Sequence, residues 1–179
     1  MIELYINNSF KIQLLTTLDA PALYGFLASN ENELRRFFPI TLEKNKTLKA
    51  TENYILDKSK EVKLKKEYTF AVKNNNTPIG LLILKNLNWE LKRGEIAYCI
   101  DKSYQGRGLI TEALKKVTAF AFNDLSLKTL EIIVYSENRA SVRVAEKCGY
   151  KWTRTLLKAF SPGNEEPLDM ELYERSNEK

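Results

Sequence analysis

The chain has 179 residues and a formal net charge of +5 at pH 7, with 28 Lys or Arg against 23 Asp or Glu. It contains no histidine and two cysteines, Cys99 and Cys148, a composition that excludes His-dependent zinc sites and Ser-His-Asp triads and predicts no metal. With 44% hydrophobic residues the chain can bury a core, and no apolar run approaches the ~20 residues that a membrane-spanning helix needs.

The N-terminal residues and the position of the basic charge narrow the expected location and partners. Residues 1–16 show no basic, apolar, small-residue signal for secretion, so we expect a cytoplasmic protein, and the length favours one domain over residues 1–179. Five lysines lie in residues 58–66, which is typical of the exposed face of a helix. No aromatic residues alternate with these lysines, as a stacking platform for single-stranded nucleic acid would require. We expect neither DNA nor a membrane as a partner.

The N-terminal third of the chain predicts one strand followed by helical segments. The strand alternates apolar and polar side chains, and the segments after it carry capping residues or apolar side chains at helical spacing. The predicted elements are a strand over residues 10–15, a helix capped by Thr17 or Asp19 with Pro21 in its first turn, a short amphipathic segment over residues 33–39 that ends at Pro39, and a helix from Thr47 to about Leu64.

The centre of the chain predicts an antiparallel meander. Residues 68–72 and 79–84 are apolar runs typical of strands, and residues 74–78 between them carry the Asn and Pro that favour a hairpin turn. Residues 95–100 form a third such run. We expect the three strands to pair in sequence order.

Two glycines, Gly106 and Gly108, separate the third strand of this meander from an amphipathic helix that begins at Leu109. The first N–H groups of a helix lack intrahelical partners, the helix dipole makes this end positive, and glycine lets a bulky anion approach the main chain. The junction therefore predicts a phosphate-bearing ligand. Two common nucleotide motifs do not fit, because Thr111 replaces the third glycine of a dinucleotide fingerprint and no Gly-Lys-Ser/Thr follows.

The order of strand, short turn and helix repeats in the C-terminal third. Residues 130–135 predict a strand, and the segment after it predicts a helix that is capped by Asn138 and ends at Gly149. The remaining predicted elements are strands over residues 151–157 and 168–173, joined by a loop over residues 160–167.

Both helix starts carry motifs that resemble the acyl-CoA motifs of the GNAT N-acetyltransferases. The first, Gln/Arg-x-x-Gly-x-Gly/Ala, is matched from Gln105 onward, with Ile110 in place of the final small residue. The second, N-x-x-S-x-x-x-A-x-K-x-G-Y from Asn138, is similar to the motif of the branch that acetylates the N-termini of ribosomal proteins. The resemblance implies acetyl-CoA as co-substrate, contacted by Cys99, Ile100, Gln105, Gly106, Arg107, Gly108, Leu109, Ile110 and Asn138.

The resemblance also implies the acyl-CoA N-acyltransferase fold. This is an α/β (α+β) fold with a mixed, mostly antiparallel sheet of about seven strands, flanked by four helices. The sheet is expected to splay between its fourth and fifth strands so that a pantetheine chain can lie in the gap.

Acetyl transfer from a thioester to an amine sets the requirements for the catalytic residues. The amine must be neutral, a donor must stabilise the carbonyl oxygen as it becomes negative, and the leaving thiolate needs a proton. An α-amino group, with a reference pKa near ~8, demands less of a base than a lysine, with a pKa near ~10.4. Glu95 is the candidate base, acting directly or through water, and an exposed carboxylate at a strand end is the alternative interpretation.

The resemblance implies the other two roles. Many GNAT enzymes carry a tyrosine seven residues after the asparagine of the second motif, where this chain has Ala145, which cannot donate a proton. We therefore assign Ser141, which the ribosomal-protein branch keeps, as donor to the thiolate, with a serine that bonds its own helix as the alternative. A backbone N–H near Cys99 or Ile100 is expected to polarise the thioester carbonyl.

The sequence thus predicts an acetyl-CoA-dependent N-acetyltransferase that acts on the N-terminal α-amino group of a protein, with a ribosomal protein as the implied acceptor. Acetylation of a small amine or an antibiotic is the alternative within enzymes. A non-catalytic module that senses acetyl-CoA or contacts the ribosome is the alternative from another class. The acceptor's identity and the oligomeric state, a homo-oligomer included, are left open by the sequence.

Overall fold

The computed structural model describes residues 2–163 and 165–177, so Met1, Glu178, Lys179 and, within the predicted loop 160–167, Asn164 lie outside the described residues. The elements are, in chain order, β1 (Glu3–Tyr5), β2 (Phe10–Leu14), α1 (Ala20–Ser29), α2 (Glu31–Leu34), α3 (Pro39–Glu43), α4 (Leu48–Lys63), β3 (Tyr68–Asn74), β4 (Thr77–Asn88), β5 (Arg93–Ile100), α5 (Leu109–Asn123), β6 (Thr129–Val134), α6 (Arg139–Lys147), β7 (Lys151–Phe160) and β8 (Leu168–Ser176). Short 3-10 turns over Thr17–Asp19 and Lys102–Tyr104 come before α1 and α5. None of these helices is long and apolar enough to cross a membrane.

The strands of the described residues form one mixed sheet in the order β1-β2-β3-β4-β5-β6-β8-β7. Every pair of neighbours is antiparallel except β5 with β6, which run parallel. This confirms the predicted mixed, mostly antiparallel α/β fold. The described residues differ from the prediction in having eight strands rather than about seven, because β1 was not predicted, and six α-helices rather than four.

The N-terminal helices pack on one face of the sheet. Helix α4 begins where the sequence predicts, and Thr47 caps it, its hydroxyl accepting a hydrogen bond of 3.1 Å from the backbone N–H of Ala50. The prediction that Pro39 ends a helical segment is wrong. Pro39 instead begins α3, because the first helical position needs no N–H and suits the fixed φ of proline. On this face Ile55 of α4 packs in a core with Leu81 of β4.

Helices α5 and α6 pack on the opposite face. The apolar side chains of α5 are buried at the predicted helical spacing, and Leu114 and Val117 lie in a core with Ile96 of β5. Gly149 follows the C-terminal end of α6 and takes φ 79°. Glycine adopts this left-handed conformation at little cost, so the helix ends there, as predicted.

Strands β5 and β6 pair only at their N-terminal ends. The ladder joins residues 93–95 to residues 129–131 and stops there, although β5 continues to Ile100 and β6 to Val134. The two strands therefore separate into a gap that reaches the middle of the sheet. This is the predicted splay, because β5 and β6 are the fourth and fifth of the strands predicted from the sequence.

Candidate active site

A cavity of about 270 Å³ occupies the gap between β5 and β6. It is lined by the facing strands, by the start of α6 and by segments above and below the sheet. The lining residues are Glu95, Ile96, Ala97 and Tyr98 of β5, Ile132, Ile133 and Val134 of β6, Tyr135, Asn138 and Ser141 at and before the start of α6, Lys85 of β4, Phe37 and Phe38 before α3, and Ala159, Phe160 and Met170 of β7 and β8. Both predicted catalytic residues, Glu95 and Ser141, thus face one cavity.

The residues that line this cavity come from both faces of the sheet. Tyr98 packs with the core under α5 and α6, whereas Cys99 packs with the core under α1 and α4. Because strand side chains alternate between faces, Glu95 and Ala97 lie on the same face as Cys99. The cavity therefore runs through the gap, and reactants that approach from opposite faces can meet inside it.

The hydrogen-bond pattern of β5 directs two backbone N–H groups toward the gap. Asp101, just after β5, donates its N–H to the Ile79 carbonyl of β4 at 2.8 Å. Since this direction alternates along an antiparallel strand, the N–H of Cys99 also points to β4, and those of Tyr98 and Ile100 point away from β4. Of the two residues predicted near the polarising donor, Ile100 has its N–H on the gap side and Cys99 does not.

The glycines before α5 leave an open concave main chain. Gly106 and Gly108 take φ 74° and φ 73°, and no atom lies within 4 Å of the place where a Cβ would be on either residue. The first i to i−4 bond of α5 runs from Glu112 to Gly108 at 3.1 Å, so the N–H groups of residues 109–111 precede the helical ladder. These N–H groups, the helix dipole and the free space fit an anion the size of a pyrophosphate.

The side chains of this loop point in different directions. Leu109 and Ile110 are buried in the core, so only their backbone can contact a ligand. Gln105 is exposed. Arg107 donates to the Ser103 carbonyl at 2.8 Å, and this bond holds its side chain against the loop. We therefore expect the main-chain N–H groups, more than this side chain, to bind an anion here.

Glu95 lies at the last ladder pair, where the gap begins. Its side chain is 12% exposed, with Oε1 3.1 Å from the Lys85 ammonium and Oε2 accepting a hydrogen bond of 2.7 Å from the Asn86 amide. Each carboxylate oxygen has a second lone pair, so Glu95 can still accept a proton from an amine or a water. The Lys85 charge offsets that of Glu95 inside the cavity.

Two hydrogen bonds hold the first turn of α6 at the gap. The Asn138 side chain caps the helix by accepting from the Ser141 N–H at 3.2 Å, as the sequence predicts. The Tyr98 hydroxyl donates to the Ser141 carbonyl at 2.8 Å. Among the described residues the Ser141 hydroxyl itself has no hydrogen-bond partner, so it is free to meet a bound molecule.

Tyr98 was not given a role from the sequence. Burial raises the pKa of its phenol above the ordinary value, so it stays neutral and acts as a hydrogen-bond donor. Burial likewise raises the pKa of the Cys99 thiol to about 12, which keeps it protonated at neutral pH and unsuited to be a nucleophile. The signal that could have identified Tyr98 is that a buried tyrosine hydroxyl needs a partner.

Three aromatic rings, Phe37, Tyr135 and Phe160, form what we term the aromatic rim of the cavity. The Phe37 ring lies 6.0 Å from that of Tyr135 and 5.8 Å from that of Phe160, centroid to centroid. The Arg36 guanidinium stacks over Tyr135 at 5.1 Å and pairs with Glu165 at 2.8 Å. No sequence motif predicts the rim, because its members come from distant segments.

Known proteins resemble this chain in both sequence and fold. Residues 10–151 match the family model of the acetyltransferase (GNAT) domain. The Bacillus subtilis protein named Probable N-acetyltransferase YjcK is 28% identical over 147 residues, 80% of this chain and 81% of that protein. Spermidine N(1)-acetyltransferase of Escherichia coli K12 is 32% identical over 52% of this chain and 50% of its own. The structure of RimL, a ribosomal L7/L12 alpha-N-protein acetyltransferase in complex with coenzyme A, superposes with a TM-score of 0.89 at 17% identity, covering 98% of each chain.

Proposed function

This chain belongs to the GNAT family of acetyltransferases, and from that membership we propose that it acetylates the N-terminal α-amino group of a protein in the cytoplasm. It is an acetyl-CoA-dependent N-acetyltransferase, in line with the sequence prediction and against a non-catalytic sensing module. The acceptor is the part that we propose. A ribosomal protein is the acceptor class that the RimL likeness suggests.

The observation that carries the proposal is the gap that passes through the sheet. On the α5 and α6 face, the open main chain at Gly106 and Gly108 suits the phosphates of acetyl-CoA. Glu95 lies on the α1 and α4 face, and together with the aromatic rim it lines the remaining part of the same cavity. An acceptor that enters from this second face reaches the gap without displacing the co-substrate.

The residues around the gap can perform the three required tasks. The N–H groups of Tyr98 and Ile100 are directed at the gap, where they can stabilise the carbonyl oxygen as it gains charge. Glu95 takes a proton from the acceptor amine, directly or through water. Acetyl-CoA supplies the activated acyl group as a thioester. Ser141 gives its hydroxyl proton to the departing sulfur and is reprotonated, through water, by the proton that Glu95 took from the amine, which restores both side chains.

Cavity charge favours an N-terminal amine over a polyamine. Glu95 is the one carboxylate among the described residues that line the cavity, and the Lys85 ammonium already lies 3.1 Å from it. A polyamine carries several positive charges and finds no further acidic partner there. An α-amino group carries a single positive charge, and its pKa near ~8 means that Glu95 has to remove its proton from a weaker base than a lysine or polyamine amine.

Release of free coenzyme A thiol with three matched acceptors tests the proposal. The acceptors are a short peptide that begins with serine, the same peptide with its α-amine blocked and one internal lysine, and spermidine. We expect rapid thiol release only with the free N-terminus. Equal or faster release with spermidine would favour small-amine acetylation, the second candidate, which the match to the spermidine enzyme supports over half of the chain.

A further inference from the structure

We propose that Tyr98 is a positioning residue, which holds Ser141 at the reacting end of the cavity through the Ser141 backbone carbonyl. The inference rests on the proposed function, because it gives Ser141 the proton that the thiolate needs. Tyr98 would then act through Ser141 and would not exchange a proton with either reactant.

The contact crosses the gap at a point where backbone pairing is absent. Tyr98 lies on β5 beyond the last β5–β6 ladder pair, which is Glu95 with Glu131. Ser141 lies in the first turn of α6, on the far side of the gap. The 2.8 Å bond from the Tyr98 hydroxyl to the Ser141 carbonyl therefore joins two walls that the sheet itself leaves separate.

The bond is additional to what the helix requires. In an α-helix the carbonyl of Ser141 accepts from the N–H four residues later, that of Ala145, so it would not be left unpaired without Tyr98. Ala145 is fully buried and small. The Ser141 carbonyl therefore does not need this bond, whereas the buried Tyr98 hydroxyl does. The partner that Tyr98 takes is the residue whose own hydroxyl is free, so the bond fixes the position of Ser141 relative to β5.

Tyr98 is a poor candidate for the acid itself. Its hydroxyl proton is already directed at the Ser141 carbonyl, and burial holds the pKa of the phenol above its ordinary value. Neither feature hinders a hydrogen-bond donor. The Ser141 hydroxyl, which among the described residues has no partner, is the group able to move toward a sulfur.

A double-mutant cycle of Tyr98→Phe and Ser141→Ala tests the proposal, with kcat measured at saturating acetyl-CoA and peptide under conditions where chemistry limits the rate. Ser141→Ala should lower kcat at least about tenfold, within the range of general acid catalysis. Tyr98→Phe should lower kcat about fivefold, the factor that one hydrogen bond contributes, with acetyl-CoA affinity unchanged. The double variant should be no slower than Ser141→Ala, because nothing is then left to position.

Tyr150→Phe is the matched control. Its buried hydroxyl pairs with Thr118 at 2.7 Å, and neither residue lines the cavity. Tyr150→Phe should lose about as much stability as Tyr98→Phe and should keep the wild-type kcat. Thermal melting of each variant separates loss of fold from loss of rate.

Three results would overturn the proposal. Unchanged kcat in Tyr98→Phe would show that the bond does not serve the reaction. A double variant slower than Ser141→Ala by the full Tyr98→Phe factor would show that Tyr98 acts independently of Ser141. Unchanged kcat in Ser141→Ala would remove the residue to be positioned. In each case, acetylated N-termini produced by the wild-type enzyme would leave the proposed function standing, and their absence would overturn that function separately.

Discussion

The two sides of the gap are built in different ways. On the α5 side, the groups that suit the co-substrate lie within residues 105–112, one turn and the first turn of a helix. On the acceptor side, Arg36 and its partner Glu165 are 129 residues apart, and the aromatic rim joins three segments. A site made by consecutive residues is determined by local conformation, whereas a site made by distant ones depends on how the whole sheet closes.

The largest effect is expected on the consecutive side, from Gly108→Glu. The substitution puts a negative side chain where the phosphates of acetyl-CoA should bind, and it forces a residue with a Cβ into φ 73°. Acetyl-CoA at ~100-fold its Kd should stabilise the wild-type protein by roughly 2.7 kcal/mol, and this gain should vanish in the variant. Thermal melting with and without acetyl-CoA measures it.

Gly163→Glu is the control for this variant. Gly163 also has positive φ, at 56°, with no atom within 4 Å of an added Cβ, and it lies in the loop before β8. Gly163→Glu should introduce backbone strain similar to that of Gly108→Glu, and acetyl-CoA should still stabilise this variant as it does the wild-type protein. An intact shift in Gly108→Glu would mean that the loop is a turn and no phosphate site.

The contrast between features made by consecutive residues and features made by distant ones explains how far the sequence predicts the structure. The meander, α5, α6 and the Asn138 cap follow from local spacing and capping residues, and they are found where predicted. Strand β1 was missed because three residues carry too little periodicity, and only pairing with β2 defines it. Pro39 was misassigned because proline both ends and begins helices, and the sequence alone does not say which.

The candidate site also contains residues that local sequence predicts and residues that only the tertiary structure brings into place. Glu95 was predicted from its place at the start of a strand and Ser141 from the resemblance of the second motif, and the cavity brings them together. Their roles stay predictions. That Ile100 and not Cys99 directs its N–H at the gap depends on the register of β5 against β4, which no local pattern fixes. The aromatic rim and the Tyr98 contact depend on tertiary packing in the same way.

A smaller effect is expected from Glu95→Gln, at the boundary of the two sides. The amide cannot accept the acceptor's proton, so kcat with the peptide should fall by about 10²-fold at neutral pH. The loss should shrink above pH ~8, where the α-amine is already neutral. A pH profile of kcat for both enzymes measures this, and acetyl-CoA affinity should not change.

Glu131→Gln provides the matched comparison. Glu131 is the ladder partner of Glu95 on β6, pairs with Arg93 and does not line the cavity. It should leave the rate and its pH profile unchanged. A loss in Glu95→Gln that is the same at every pH would point to a structural carboxylate and not to a base.

The smallest effect is expected on the dispersed side, from Arg36→Gln. The Arg36–Glu165 pair is exposed, and exposed pairs contribute about 0–1 kcal/mol, so the KM for the peptide should rise by no more than about fivefold. Acetyl-CoA affinity should stay the same. Arg35→Gln is the control, since Arg35 is the neighbouring exposed arginine and lies 3.9 Å from Glu31. Equal effects of the two variants would show that the pairing with Glu165 does not shape the acceptor side.

The central claim is that the acceptor is a protein N-terminus that meets acetyl-CoA in the gap. Tandem mass spectrometry of one peptide that carries both a free α-amine and an internal lysine, after reaction at neutral pH, tests it most directly. The account predicts that the acetyl group is found on the α-amine and the lysine is unmodified. Acetyl on the lysine, or an unmodified peptide from an enzyme that acetylates spermidine in the same buffer, would contradict it.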